Sequence, residues 1–281
     1  MKLSIIISSH NRSELFCRTL YWLNKSKPTL SFETIIVDDG SDEAEKNVII
    51  SELKKYKLNW KFIEIDSKKW ENGTGLKIYA GNPALTNNIG FENSRGDLIC
   101  LVGNECIVYN ELDEILFEYE SYKNQNSILF TTTYDINLPL NQNGSNLNQL
   151  LTPQVLTKPL QSKNLHTDVT NYCSITSRGV WEQVKGYDEI YLSGIACEDS
   201  DFVRRAALLP NFQKIRSELV SFHQNHGGKT MYEEPLDIEY SKKFYKGLLI
   251  NREYYNSWNG KRLTPLIRFK DCVKSIITED V

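Results

Sequence analysis

The chain has 281 residues, 40% of them hydrophobic and 25% charged, enough to bury a sizeable core as one large domain or two small ones. Its net charge of −3 lacks the basic excess of a duplex-DNA binder, so no nucleic acid is expected as a partner. No apolar run approaches the roughly 18 residues that span a bilayer. Leu3 to Ile7 is too short for a signal-peptide core, and the six cysteines show no C-x-x-C spacing, which points to a reducing, cytoplasmic setting without a zinc site.

Leu3 to Ser8 reads as a first strand, and Leu15, Thr19, Leu20 and Leu23 recur at helical spacing behind Asn11-Arg12-Ser13-Glu14. Thr34 to Val37 is a second strand that runs straight into Asp38-Asp39-Gly40-Ser41. A short apolar run of this kind is a buried parallel strand, and its two carboxylates then stand at the carboxyl end, where open α/β sheets bind ligands. Taken alone, the same acids also serve as turn formers and helix caps. Glu43 to Tyr56 suits an amphipathic helix and Lys61 to Ile65 a third strand, so two β-α-β units imply a parallel sheet with right-handed crossovers. Pro83 to Asn93 predicts a helix, and Asp97 to Val102 a fourth buried strand that ends at Gly103-Asn104-Glu105.

Glu111 to Tyr122 places Leu112, Ile115, Leu116 and Tyr119 on one helical face, and Ser127 to Thr133 is a further strand. Residues 137 to 165 have no periodicity, a mark of functional or mobile stretches in compact domains. Asn171 to Ser177 resumes strand character, Val180 to Val184 predicts a short helix, and Gly186-Tyr187-Asp188-Glu189 a turn. A helix follows Cys197-Glu198-Asp199-Ser200-Asp201 as far as Pro210, and the apolar run Leu219 to Phe222 puts His223 at a strand end. From Tyr232 to Val281 the pattern is mostly helical. Its Lys242, Lys243, Tyr245, Lys246, Trp258, Arg262, Arg268 and Lys270 suit a peripheral surface that meets a lipid-linked acceptor at a membrane, and equally a helical cap or a homodimer contact.

Three clusters carry acid or metal chemistry: Asp38-Asp39, the lone Glu105, and Glu198-Asp199-Asp201 followed by His223 and His226. Acids at a helix start favour its positive end, and Asp201 with Arg205 is an i,i+4 pair, so part of the last cluster is explained by helix structure alone. A carboxylate facing a cleft would instead accept a proton from a hydroxyl nucleophile. A carboxylate and an imidazole this far apart in sequence make an open cation site only if folding joins them.

In order along the chain come Leu3-Ser4-Ile5-Ile6-Ile7-Ser8-Ser9-His10-Asn11-Arg12, Val37-Asp38-Asp39-Gly40-Ser41, Asn88-Ile89-Gly90 with Gly96-Asp97-Leu98-Ile99, Gly186-Tyr187-Asp188-Glu189, and Glu198-Asp199-Ser200-Asp201. This series resembles the family 2 glycosyltransferases over residues 1 to 226. The resemblance implies an α/β class and an A-type glycosyltransferase fold, with a Rossmann-like, mostly parallel sheet flanked by helices. Residues 1–227 would be the transferase domain, split into a nucleotide-sugar half (1–105) and an acceptor half (106–227), and 228–281 a helical C-terminal extension. It further implies nucleotide contacts at Ser8, His10, Arg12, Asp39, Asn88 and Asn104, with Asp39 on the base.

By the same resemblance Asp199 is the catalytic base and Glu198 orients the acceptor; Trp181 and Tyr172, as aromatics, are candidates to stack on a sugar ring or, equally in keeping with their type, members of the core. Glu105 and His223 would hold Mn²⁺ or Mg²⁺. Two departures stand out: Gly103-Asn104-Glu105 lacks the first aspartate of the family's D-x-D, and Asn87 stands where many members carry arginine. The implied activity is an inverting transfer from a UDP- or dTDP-linked sugar to a hydroxyl of a glycan or lipid-linked glycan, in surface-polysaccharide synthesis. The altered D-x-D leaves open a domain of the same fold that binds a nucleotide or glycan without turnover. A sugar-phosphate nucleotidyltransferase, built on a similar sheet, would need a glycine-rich loop after the first strand, and Ser8 to Arg12 contains no glycine.

Overall fold

Strand β1 (Leu3–Ser9) is apolar on both faces, as a strand must be when it lies between helical layers, and it forms the middle of the sheet. In the computed structural model, residues 2–66, 81–122, 125–136, 140–151, 172–193, 196–224, 249–257 and 272–279 are described. Helix α1 (Ser13–Lys25) crosses from β1 to β2 (Phe32–Asp39), and α2 (Glu43–Leu53) from β2 to β3 (Trp60–Ile65). Helix α3 (Pro83–Glu92) then leads back to β4 (Leu98–Gly103). Strand β1 pairs in parallel with both β2 and β4, and β2 with β3, which gives the parallel block β4-β1-β2-β3. The chain moves outward from β1 to β3 and returns on the other side of β1 as β4. The crevice beyond the carboxyl ends of β1 and β4 is therefore the topological switch point at which such sheets bind ligands.

Two apolar layers hold the helices to the sheet, and the alternation of strand side chains sorts residues between them. Leu3, Ile5, Ile7 and Ile36 pack with Phe16, Leu20 and Leu23 of α1 and with Ile49 and Leu53 of α2. Ile6, Ile35 and Val37 face the other way, against Ala84, Leu85 and Ile89 of α3. Helix α3 lies so close to β1 that a Cβ on Gly90 would sit 2.4 Å from Ile6 Cγ2, and only glycine fits there.

The remaining strands widen the sheet and make it mixed. They are β5 (Cys106–Val108), β6 (Ser127–Ile136), β7 (Cys173–Ser177), β8 (Gln213–Gln224) and β9 (Val273–Thr278), in the order β5-β8-β6-β7-β4-β1-β2-β3-β9. Helix α4 (Leu112–Glu120) and the one-turn α5 (Leu147–Leu150) lie between them in sequence, with α6 (Arg178–Val184), a 3₁₀ turn (Glu189–Ser193) and α7 (Glu198–Ala206) after β7. The fold is thus α/β, with helices on a central sheet, as expected. The tail, expected to be mostly helical, departs from that in one described segment. Residues 249–256 are helical, but Val273–Thr278 is a strand that pairs antiparallel with β3 and closes that edge of the sheet. Val273, Ile276, Ile277 and Thr278 are β-branched, and such side chains favour a pleated surface over a helix. The basic and aromatic tail positions Lys242 to Lys246, Trp258, Arg262, Arg268 and Lys270 lie outside the described residues, as does His226.

Candidate active site

The parallel register sets Ser8 level with Val37 and Gly103, so the loops after β1, β2 and β4 open at one height. Hydrogen bonds brace the first two of these loops against each other. Asn11, at a left-handed φ of 46°, accepts the Asp42 amide on Oδ1 at 2.8 Å and donates its own amide to Ser41 Oγ at 2.8 Å. Asp38 is fully buried, and its Oδ2 accepts the Ser41 amide at 3.1 Å; burial pushes its carboxyl above the ordinary value, against the pull of that bond. Asp38 therefore builds the turn.

Asp39 is 1% exposed and accepts the Gly81 amide on Oδ2 at 2.7 Å. His10 donates from Nδ1 to the Asp39 carbonyl at 2.7 Å and packs over Gly81, where a Cβ would lie 3.0 Å from that of His10 and φ is +77°. Asp39, His10 and Gly81 thus form one bonded unit at the carboxyl edge of the sheet. Ser8 is turned toward α3, with Oγ 2.6 Å from Thr86 Oγ1 and 3.0 Å from Asn87 Oδ1.

Across the crevice, the pairing of β8 assembles a second group. Antiparallel register places His223 opposite Cys106, next to Glu105, and parallel register places it beside Asp135 on β6. His223 donates from Nδ1 to Asp135 Oδ1 at 2.6 Å, which leaves Nε2 directed toward Glu105 Oε1 at 4.0 Å. Arg12 reaches Glu105 Oε2 from the β1 loop at 3.2 Å. The Tyr172 ring lies 4.8 Å from the imidazole, and burial together with the charges of Glu105, Asp135 and Asp199 raises its hydroxyl pKa. Of these charges, that of Asp199 bears least on the hydroxyl.

Two donor atoms about 2.1 Å from one octahedral cation lie about 3.0 Å apart when adjacent and about 4.2 Å apart when opposite, so the 4.0 Å between Glu105 and His223 would close by about 1 Å on a cation that held both as neighbours. The Asp135 carboxylate behind the imidazole is the support that metal-bound histidines ordinarily have. Among the described residues there is no group of three or more candidate ligands. The pair thus suits an open site that a diphosphate and water would complete.

Helix α7 begins with Glu198 and Asp199, both buried, after Ala196 and Cys197 in left-handed conformations. Asp199 Oδ1 accepts the Ser200 amide at 2.7 Å, yet burial wins and lifts its carboxyl from 3.8 to about 6. Asp201 is spoken for, since Oδ2 takes Arg205 Nε at 2.7 Å and Arg205 also serves the carbonyls of Val184 and Gly186. A bonded path links this wall to Asp39: Gly81 on Asp39, Asn82 Nδ2 on the Tyr191 carbonyl at 3.0 Å, and Asn251 Nδ2 on both that carbonyl and Ala196 O.

Two expected site residues do other work, and a third is buried. Trp181 is 2% exposed, stacked on Phe91 at 5.1 Å and packed against Tyr187 and Phe202, so it is core and has no face to offer a sugar. Asn88 is buried and spends its amide on the Tyr187 backbone and on Glu189, which fixes the turn after α6 instead of a nucleotide. Asn104, the third, is buried, and its backbone carbonyl accepts Thr19 Oγ1 at 2.8 Å. Conversely, Asp135, Gly81 and Asn251 enter the picture only here. Asp135 had a faint signal as a lone acid between Tyr134 and Ile136; Asn251 had none. An open depression of about 700 Å³ on the face of α4 and β8, lined by Asp113, Phe117, Glu118 and Arg216 among others, includes none of the crevice residues.

Residues 4–184 match the family model described as glycosyl transferase family 2. Among solved structures, TarS of S. aureus in complex with UDP superposes with a TM-score of 0.56 at 17% identity, over 89% of this chain and 64% of that one. The mannosyltransferase PcManGT from Pyrobaculum calidifontis, in complex with GDP-Man and Mn²⁺, superposes with a TM-score of 0.56 at 11% identity, over 94% of this chain and 65% of that one. The chain thus spans slightly less than two thirds of either structure. Comparison with curated proteins gives no match.

Proposed function

The chain belongs to glycosyl transferase family 2, and on that premise we propose that it moves a sugar from a nucleotide-diphosphate donor to a hydroxyl of a glycan acceptor with inversion at the anomeric carbon. The observation that carries this reading is Asp199: a buried carboxylate at the start of α7 that burial lifts to about 6, near enough to Tyr172 for its charge to bear on that hydroxyl. A base poised this close to neutrality is charged at pH 7 and still binds a proton well enough to take one from an alcohol. Asp199 would deprotonate the acceptor hydroxyl as it attacks from the face opposite the leaving nucleotide. Such a single displacement inverts configuration. Glu198, beside it, would orient the acceptor, and Tyr172 is the aromatic left to meet a sugar now that Trp181 belongs to the core.

On the donor side, Asp39 and His10 would receive the base, near Ser8, and Arg12 the diphosphate. Glu105 and His223 would hold a divalent cation, Mn²⁺ or Mg²⁺, whose charge would offset that of the diphosphate. UDP bound to TarS supports a uridine or thymidine diphosphate donor, and GDP-Man with Mn²⁺ on PcManGT supports the cation while keeping the base open. A glycan or lipid-linked glycan of a surface polysaccharide is the acceptor class we favour. No helix among the described residues is long and apolar enough to cross a membrane, so contact with a lipid-linked acceptor would be peripheral. Residues 1–105 would form the donor half and 106–227 the acceptor half.

The test is release of free nucleotide from UDP-, dTDP- and GDP-sugars, with and without Mn²⁺, in the wild type and in Asp199→Asn. Metal-stimulated release that the substitution abolishes supports the transferase. One observation favours a second reading: the ion pair of Arg12 with Glu105 occupies one oxygen of a motif already short of an aspartate. Tight nucleotide binding without turnover on any donor would establish that reading, a binding domain on the same fold.

A further inference from the structure

The two residues before Glu198 hold an unfavourable backbone. Ala196 and Cys197 have φ values of 69° and 75°, where an L side chain crowds its own carbonyl, and such geometry persists only when neighbouring groups over-determine it. Neither residue is a glycine or an asparagine, the types that visit this region readily. Something outside the turn must hold it.

The tail supplies that hold. Asn251 lies in the helical stretch 249–256 and is fully buried. Its Nδ2 donates to the Ala196 carbonyl at 2.8 Å and to the Tyr191 carbonyl at 3.1 Å, so one amide group clasps both ends of the connection between the 3₁₀ turn and α7. The Tyr191 carbonyl also accepts Asn82 Nδ2, which anchors the clasp to the start of α3 and, through Gly81, to Asp39. The same tail stretch grips α7 a second time. The Arg204 guanidinium lies 3.8 Å over the Tyr255 ring and donates from both terminal nitrogens to the Tyr255 carbonyl at 3.0 Å.

We propose that Asn251 is a positioning residue for Asp199: by pinning the Ala196–Cys197 turn, it fixes where α7 begins and so where the base stands against the acceptor. The proposal rests on the assignment of Asp199 as base. The amide is suited to the task because it carries two N–H donors on one short arm, one for each carbonyl, whereas aspartate at the same place would set an acceptor against two acceptors. The tail of this chain is then part of the catalytic apparatus.

The experiment compares the wild type, Asn251→Ala, the double variant Asn251→Ala/Ala196→Gly, and Asp199→Asn in two readouts, nucleotide-sugar turnover and hydrogen–deuterium exchange over residues 196–201. Displacing a reacting group by about 1 Å costs about 100-fold in rate, so Asn251→Ala should lower kcat by up to that factor while leaving the donor KM in place, and should speed exchange over 196–201. Adding Ala196→Gly should restore part of the lost kcat, because glycine holds a positive φ without help. A folded Asn251→Ala with wild-type kcat and exchange overturns the proposal. So does a loss of kcat that the glycine leaves untouched. Should Asn251→Ala not fold, Asn251→Leu fills the same space without any donor, and wild-type turnover in that variant is equally fatal. If Asp199→Asn retains turnover, the base assignment fails by itself, and the exchange data still decide whether Asn251 pins the turn.

Discussion

On the β1–β2 side of the crevice both acids accept backbone amides, Asp38 from Ser41 and Asp39 from Gly81; on the α7 side Asp201 takes Arg205, while among the described residues Asp199 is bonded locally, to Ser200 beside it. All four are buried, Asp38, Asp39 and Asp201 at no more than 1% exposure and Asp199 at 8%. Depth alone therefore does not set a carboxylate's role; its partners do. A carboxylate that anchors a remote amide positions a loop, and one matched by a guanidinium holds a helix in place. Burial raises the carboxyls of Asp38, Asp199 and Asp201 alike, against the pull of Ser41 on the first and of Arg205 on the last, and it lifts Asp199 to about 6. One wall is built to be rigid and the other keeps a reactive group.

The largest test of this contrast removes the reactive group. Asp199→Asn should cut turnover by about 10²- to 10⁴-fold, the usual worth of a positioned general base, and leave nucleotide affinity, measured by calorimetry, at the wild-type value. In the wild type, kcat should rise with pH through about 6, as the base loses its proton. A flat profile between pH 5 and pH 8 would assign the base elsewhere.

Next in size is the core residue on the same side. Trp181→Ala removes a ring packed against Phe91, Tyr187 and Phe202 and should cost about 3–5 kcal/mol in denaturant unfolding. A stable Trp181→Ala with a raised acceptor KM would return this residue to the sugar site.

A smaller effect follows from linkage. Asp199 binds its proton more tightly folded than unfolded, so its contribution favours the fold below pH 3.8, and that advantage is lost as pH rises through about 6. At a shift of about two units the penalty above pH 6 is no more than about 3 kcal/mol. Asp199→Asn should therefore be more stable than the wild type at pH 8 and similar to it near pH 4. Equal stabilities at pH 8 would mean that the carboxylate is not paying for its burial.

The two walls also differ in how far the sequence discloses them. The strands β1 to β4 announce themselves through Ile5-Ile6-Ile7, Ile35-Ile36-Val37 and Leu98 to Val102, because a strand buried on both faces needs an unbroken apolar run and each crossover is local. The motif series leads to the expectation that Asp39 and Glu198-Asp199 share one crevice. The pairing of β5 with β8, which brings Glu105 to His223, involves a three-residue strand and partners more than a hundred residues away, and no periodicity records that. Trp181 and Asn88 show the limit from the other direction. An aromatic or an amide near a motif looks the same in sequence whether it faces a ligand or, as here, the core and the turn that follows it. The tail strand β9 was hidden because lysine and serine interrupt its β-branched residues, as suits an edge with one side open.

The smallest of these effects probes the rigid wall. Asp39→Asn keeps an acceptor for the Gly81 amide at 2.7 Å but removes the charge, whereas Asp39→Ala removes both. Hydrogen bonds to a charged acceptor contribute about 1.5–3 kcal/mol, so Asp39→Ala should weaken nucleotide binding by about tenfold to hundredfold, read by calorimetry with UDP. Asp39→Asn should lose less, since the loop after residue 80 stays anchored and His10 keeps the Asp39 carbonyl as its partner. In neither variant should kcat at saturating donor fall as it does in Asp199→Asn, because the anchor acts before chemistry and the base during it. Were Asp39→Ala to lose kcat and keep its affinity for UDP, the acids would have exchanged roles, and the division of labour between a positioning wall and a reactive one would fail where it is most exposed.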